Sequence, residues 1–245
     1  MLVVLMYHRV SNPLLPDHSR NFEQHLQALA KQDAFVIPGE ALDRRRLNLC
    51  LTFDDAYYDF YRDVFPLLKQ YRIKAVLAIP VGLILDDTTL DDATRLGVPY
   101  AEAMASYQSY ATLCTWKEIN EMVASGLVIP AVHGMTHRHL TAQDTCLETE
   151  VVAAKHLLEQ KTGYTPDTFI YPYGSMNNRV NRYVKKHYTY RMRIGSASNW
   201  NWHNIHGLIY RINAEEFWPV NKPMLSPSHR FYLGARLLFN SLRFK

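Results

Sequence analysis

The residues best suited to chemistry in this 245-residue chain are the adjacent acids of Thr52-Phe53-Asp54-Asp55. They end an apolar, strand-like run that begins at Leu47. Along a strand, neighbouring side chains point to opposite faces. Where a strand gives way to a loop, both acids can reach one pocket, one as a metal ligand and the other as a base. The competing reading is a solvated Asp-Asp turn. A second group follows another apolar run, Leu127 to Val132, and reads His133-Gly134-Met135-Thr136-His137. Its histidines stand at i and i+4, close together on one helical face or within a compact loop. Imidazole nitrogens suit zinc and related divalent ions. Two histidines and one carboxylate leave coordination positions open, as catalytic metals require. Taken alone, the spacing also fits two surface histidines.

Both groups sit at the ends of buried elements. Apolar runs recur at Leu2 to Tyr7, Leu47 to Phe53, Ala75 to Pro80, Leu127 to Val132 and Thr168 to Tyr171. Between them lie helical patterns. One carries Phe22, His25, Leu26 and Leu29, and a second Phe65, Leu68 and Tyr71. A third carries Trp116, Ile119, Met122 and Val123, and a fourth runs from Leu147 to Leu158 and stops before Gly163. Strands alternating with helices predict βα units and a parallel sheet covered on both faces. Several strands end in reactive residues: His8, the Asp54-Asp55 pair, His133 and Tyr173. Barrels of this kind place their sites at the strands' C-terminal ends. Asp86 to Tyr110 departs from the pattern and reads as an insertion or lid, whose acids cap helices rather than bind metal.

Composition narrows the classes. Hydrophobic content of 48% and charged content of 20% are those of an ordinary globular protein. Prolines and glycines fall singly, so no linker divides the chain, and one domain over 1–245 is expected. A formal charge of +4 with scattered basic residues does not point to nucleic acid. The three cysteines form no CxxC pair, which favours a reducing compartment. Met1 to His8 lacks a basic segment and a cleavage site and reads as a strand rather than a signal peptide. A cytoplasmic location, extending to the inner face of the membrane, is the expectation. Phe231 to Lys245 mixes Phe and Leu with Arg236, Arg243 and Lys245. It reads as a packing helix without a cleanly amphipathic wheel, with peripheral contact to an anionic membrane as the alternative.

Three motifs in order carry a family resemblance. Thr52-Phe53-Asp54-Asp55 resembles the first motif of the polysaccharide deacetylases, the NodB-homology carbohydrate esterases of family four. His133-Gly134-Met135-Thr136-His137 with Leu140 resembles the second, His-Thr-x-x-His with a trailing Leu. Phe169-Ile170-Tyr171-Pro172-Tyr173-Gly174 is similar to the third, which ends in Pro-Tyr-Gly. Val64-Phe65-Pro66-Leu67-Leu68 and the opening Leu5-Met6-Tyr7-His8 add to it, the latter resembling the Tyr-His opening of poly-N-acetylglucosamine deacetylases, a subgroup that looks circularly permuted. The likeness covers about residues 1–215, and 216–245 reads as a helical C-terminal extension. It implies an α/β fold, a distorted (β/α)7 barrel. It implies that Asp55, His133 and His137 hold a divalent metal, zinc first, with cobalt or nickel as alternatives. Asp54 would be the general base, and Tyr173 would offer its backbone N–H to the oxyanion.

Four departures stand out. Ala56 replaces the glycine that usually ends the first motif, and Gly134 replaces the threonine of the second, removing a hydroxyl able to brace the site. Ile170 stands where many relatives place an arginine that orients the catalytic Asp, leaving Arg9 or Arg138 as substitutes. The C-terminal Leu-x-His that supplies the general acid is not evident, and His203, His206 and His229 have the wrong surroundings. His8 is the candidate in its place, against the alternative of a histidine satisfied at a strand end. The resulting expectation is a metal-dependent hydrolase that removes N-acetyl groups from a sugar of a polysaccharide or glycolipid precursor. The surplus of Tyr and Trp fits sugar stacking. The alternatives are an amidase acting on a non-sugar C–N bond and a carbohydrate-binding protein with a decayed site.

Overall fold

The computed structural model describes residues 1–11, 18–31, 34–204, 207–215 and 226–242. Its strands are β1 (Leu2–Tyr7), β2 (Ala34–Phe35), β3 (Asn48–Phe53), β4 (Ala75–Ile79), β5 (Val128–Val132), β6 (Thr168–Ile170), β7 (Tyr190–Ile194) and β8 (Leu208–Asn213). All pair in parallel, in the order β1-β8-β7-β6-β5-β4-β3-β2. β1 also pairs with β3, so seven strands close into a barrel and β2 lies outside the ring. The ring is not regular. The first residues of β3 pair with β2, and only Thr52 and Phe53 pair with β4. The barrel is therefore wedged open between β3 and β4 at the strands' N-terminal end. This is the distorted seven-stranded α/β barrel that the motifs imply.

The helices are α1 (His18–Ala30), α2 (Phe65–Tyr71), α3 (Asp92–Leu96), α4 (Tyr100–Ala103), α5 (Tyr107–Tyr110), α6 (Trp116–Ala124), α7 (Ala154–Thr162), α8 (Asn178–Val184) and α9 (Pro227–Leu242). Local chemistry sets several boundaries. α6 opens with a capping box in which Thr115 and Glu118 satisfy each other's backbone N–H groups. α7 ends at Gly163, whose φ of +69° is left-handed and free of steric cost for glycine. Among the described residues no helix connects β7 to β8, and α9 packs there instead.

Strand parity sorts the side chains into two cores. Leu2, Val4, Cys50, Val76, Ala78, Ala131, Ile170, Met192 and Ile209 form one apolar cluster that fills the barrel interior. The alternate residues, such as Leu5, Leu51, Leu77, Val132 and Phe169, pack outward under the helices. Burial on both faces explains the near-continuous apolar runs.

The segment expected to form a lid holds α3 to α5. Asp91 caps α3 by accepting from Thr94 N at 2.9 Å. Asp86, Asp87 and Asp92 instead pair with Lys161, Lys117 and Arg62. Buried Arg95 anchors the segment, donating to Ala111 O, Leu113 O and Glu118, with its guanidinium 3.3 Å from the Tyr58 ring centroid. The C-terminal extension is helical over Pro227–Leu242, while 216–225 and 243–245 lie outside the described residues. No described helix is long and apolar enough to cross a membrane.

Candidate active site

Parity also aims the chemistry. In β3 the inward series Cys50, Thr52 continues to Asp54. In β5 the series continues from Ala131 to His133, and in β1 from Met6 to His8. These side chains therefore meet at the C-terminal mouth of the barrel. Simple alternation would send Asp55 outward. Instead the backbone turns left-handed at Asp55 and Ala56, with φ of +71° and +53°. That turn brings the second acid back over the mouth. It also explains why glycine is usual where Ala56 stands, since a side chain there costs roughly 1 kcal/mol. The turn is pinned by Cys114 N donating to Ala56 O at 2.7 Å and Tyr58 N to Thr112 O at 2.9 Å.

Asp55, His133 and His137 converge, with one potential ligand atom from each lying within 4.8 Å of the others. His133 Nδ1 donates to Ile170 O at 2.8 Å, and a carbonyl can only accept. The proton is thereby fixed on Nδ1, and the Nε2 lone pair faces Asp55 Oδ1 at 3.5 Å. His137 Nε2 lies 3.1 Å from the same oxygen, which is buried without a hydrogen bond. Burial, only partly offset by Asp54, pushes His133 down to about 4, so its imidazole is neutral near pH 7. A carboxylate oxygen and a lone-pair nitrogen facing each other in a buried site need a cation between them. The three residues thus fit a divalent metal on their own chemistry.

Asp54 has a different partner. Arg211, fully buried on β8, binds it bidentately, Nη1 to Oδ1 at 2.6 Å and Nη2 to Oδ2 at 2.8 Å. Arg211 Nη1 also donates to Thr52 Oγ1 at 3.1 Å, whose hydroxyl donates to Leu5 O at 2.9 Å. Burial raises the Asp54 pKa, but the Arg211 guanidinium, ahead of His133 and His8, holds it well below the ordinary carboxylate range. This corrects the expectation placed on Arg9 and Arg138. Arg9 donates to Leu96 O and Val98 O in the lid, and Arg138 pairs with Asp144. Ile170 is simply one of the apolar residues inside the barrel.

His8 stands on the other side of Asp54, its Nε2 4.0 Å from Oδ2. Its Nδ1 donates to Glu215 Oε1 at 3.0 Å, and its backbone N–H donates to the same atom at 2.9 Å. Burial works against the charged imidazole, but Glu215, Asp54 and Asp55 outweigh it and raise the pKa above the ordinary value. Neither Glu215 nor Arg211 was anticipated from sequence. Of the other histidines considered, His203 is exposed in the 195–207 loop, His229 is on α9, and His206 lies outside the described residues.

Gly134 is required where the family uses threonine. Its φ is +80°, and a Cβ there would come within 2.8 Å of Glu150 Oε2. Buried Glu150 braces the loop instead, accepting from Met135 N at 2.7 Å, Thr136 N at 3.0 Å and Thr136 Oγ1 at 2.5 Å. Tyr173, at φ +56°, stacks on His139 with ring centroids 4.1 Å apart. A cavity of about 290 Å³ joins His8, Asp54, Asp55, His133, His137 and Tyr173, with Tyr100 and Met104 of the lid closing one side. The expected catalytic and metal residues are therefore all in one place.

Barrel and site together define a protein of the distorted α/β-barrel class with its acids and histidines gathered at one mouth. The sequence profile described as "Polysaccharide deacetylase" matches residues 43–192, and the chain belongs to that family. The chain is 28% identical over 164 residues to a poly-beta-1,6-N-acetyl-D-glucosamine N-deacetylase of Escherichia coli O157:H7. That match covers 56% of this chain and 23% of the E. coli protein, so the chain spans less than a quarter of that relative's length. Among solved structures, IcaB from Ammonifex degensii superposes with a TM-score of 0.69 at 21% identity, over 96% of both chains. The deacetylase PplD of Streptococcus pyogenes, in complex with acetate, superposes with a TM-score of 0.68 at 21% identity, over 95% of this chain and 97% of that one. These two likenesses establish the shared fold.

Proposed function

We propose that this protein is a metal-dependent N-deacetylase acting on an N-acetylated sugar of a polysaccharide or glycolipid precursor. The observation that carries the proposal is the division of labour around Asp54. One acid, Asp55, joins two histidines whose ligand atoms lie close enough to hold a cation, while its neighbour is held ionised by Arg211 and faces a Glu215-supported histidine. When bound, a divalent ion, zinc by the donor set, acidifies water and polarises an amide carbonyl.

The chain's own groups account for the proton traffic. Water adds to the acetamide carbon and gives a proton to an Asp54 oxygen. The Tyr173 N–H is the proposed donor to the oxyanion that develops on the carbonyl oxygen. His8, whose raised pKa favours the protonated imidazole, delivers a proton to the amine as the C–N bond breaks. Acetate and a free amine result. The 4.0 Å between Asp54 Oδ2 and His8 Nε2 lets the proton taken up at one be passed to the other. The cavity is near the lower bound of small-molecule clefts, on the order of 300 Å³, which suits one sugar ring with its acetamide.

The test measures bound metal and acetate release from N-acetylated β-1,6-linked glucosamine oligosaccharides. Stoichiometric metal with acetate release, abolished in Asp54→Asn while metal is retained, supports the proposal. Metal without acetate release would transfer the protein to the non-sugar amidases, and lack of metal to the carbohydrate-binding proteins.

A further inference from the structure

Helix α9 has two contrasting faces. Leu233 and Leu237 are buried, the latter against Ala197 and Tyr210. Ser198 N donates to Leu233 O at 3.2 Å, and Asn240 Nδ2 to Gly195 O at 2.9 Å. These contacts hold the helix against the side of the barrel that lacks a crossover helix among the described residues. The other face carries Phe231, Tyr232, Ala235, Leu238, Phe239 and Leu242, all exposed. Their spacing, i, i+1, i+4, i+7, i+8 and i+11, is one continuous stripe. Phe231 is 81% and Leu242 73% exposed. A helix that only packs on a barrel turns such a stripe inward, whereas this one presents it outward as well.

We propose that α9 docks the protein on the surface of an anionic lipid bilayer, with the apolar stripe settled among the headgroups. Charge complementarity selects this occupant. From Phe231 to Lys245 the sequence contains Arg236, Arg243 and Lys245 and no Asp or Glu. A second copy of the chain would meet this face through a two-fold axis and set the same arginines against each other. Acidic headgroups answer that charge, and the aromatic residues of the stripe are of the kind that settle at a membrane interface. The wheel that is ambiguous in sequence resolves because Leu233 and Leu237 take the packing face, leaving the rest of the apolar residues outside. Asn240 binds the carbonyl of Gly195, directly after Ile194, which lines the catalytic cavity. Docking on α9 therefore brings one wall of the cavity toward the lipid.

The test is vesicle flotation of the full chain, without substrate, so that its outcome is independent of the deacetylase reading. Vesicles of equal parts phosphatidylglycerol and phosphatidylcholine should carry the protein up, and pure phosphatidylcholine should carry far less. Added salt should weaken the binding. The variant Phe231→Ser/Leu238→Ser/Leu242→Ser should partition about tenfold less or lower, since the stripe supplies the buried area. Thermal melting checks that this variant is folded, and the comparison of the two vesicle types needs no variant at all. Equal flotation with both vesicle types overturns the proposal. So does a folded variant that floats like the wild type, or a solution dimer that the variant dissociates while neither protein binds vesicles.

Discussion

Arg211→Met should do more damage than the loss of one salt bridge, because it leaves a buried carboxylate behind. Both Asp54 and Arg211 are almost wholly buried, and Arg211 satisfies both oxygens of Asp54. Removing one partner of such a pair costs about 3–5 kcal/mol, most of it the cost of the unpaired charge. The pH dependence follows from the direction of the shift. A carboxylate whose folded pKa is depressed contributes stability that is present above its unfolded value, near 3.9, and is lost as pH falls through the folded value. In the wild type that contribution is intact at pH 7 and erodes only below about pH 4. In Arg211→Met the Asp54 pKa rises, so the destabilisation is largest near neutrality and shrinks on acidification, as the carboxyl takes up a proton. As the proposed base, Asp54 must be ionised to act, so the acid limb of kcat/KM should move to higher pH. Arg211→Lys keeps the charge and loses the fork, and should fall between the two. The double variant Asp54→Asn/Arg211→Met should recover much of the lost stability while remaining inactive. Urea denaturation across pH, together with the pH–rate profile, reads all of this. If Arg211→Met unfolds within about 0.5 kcal/mol of the wild type at pH 7, the range of an ordinary surface change, and its acid limb does not move, the reasoning is wrong.

Two further substitutions test the rest of the site. Glu215→Gln removes a charge that raises the His8 pKa, so the alkaline limb of the pH–rate profile, where His8 loses its proton, should shift to lower pH with little change in metal content. An unmoved limb would remove His8 from the acid role. Gly134→Thr, which restores the residue common in the family, should be harmful here. It forces a side chain to φ +80° and drives Cβ to within 2.8 Å of Glu150 Oε2. A stability loss of about 1–3 kcal/mol and at least tenfold weaker zinc binding are expected, read by thermal melting and metal titration.

The proposed metal half of the site was legible because its residues are local and chemically distinctive. Asp54-Asp55 and His133 to His137 each lie just beyond an apolar run, and strand parity then delivers them to the same mouth. The proposed proton-handling half was not. Arg211 and Glu215 come from β8 and the turn after it, and β7 and β8 were not recognised as strands. Tyr190-Arg191-Met192-Arg193-Ile194 and Leu208-Ile209-Tyr210-Arg211-Ile212-Asn213 are broken by arginines that read as solvent-facing in one dimension. In the closed barrel Arg191 and Arg211 are buried and carry hydrogen bonds to Asn181, Gly207 and Asp54. A signal was present nonetheless. Ile209 and Arg211 share one face of an alternating strand, and a cation on the inward face of a barrel is tolerated only beside an acid. Asp54 was already an acid at an inward position in want of a cation. Charge balance inside the barrel therefore called for an arginine once Ile170 failed to supply one. The choice among Arg9, Arg138 and Arg211 depended on which strand closes the ring against β1. Val4 pairs with both Cys50 and Arg211. That register sets Arg211 level with Cys50, one inward position below Thr52 and two below Asp54, and its long side chain reaches both; it is a property of barrel closure that no local motif encodes.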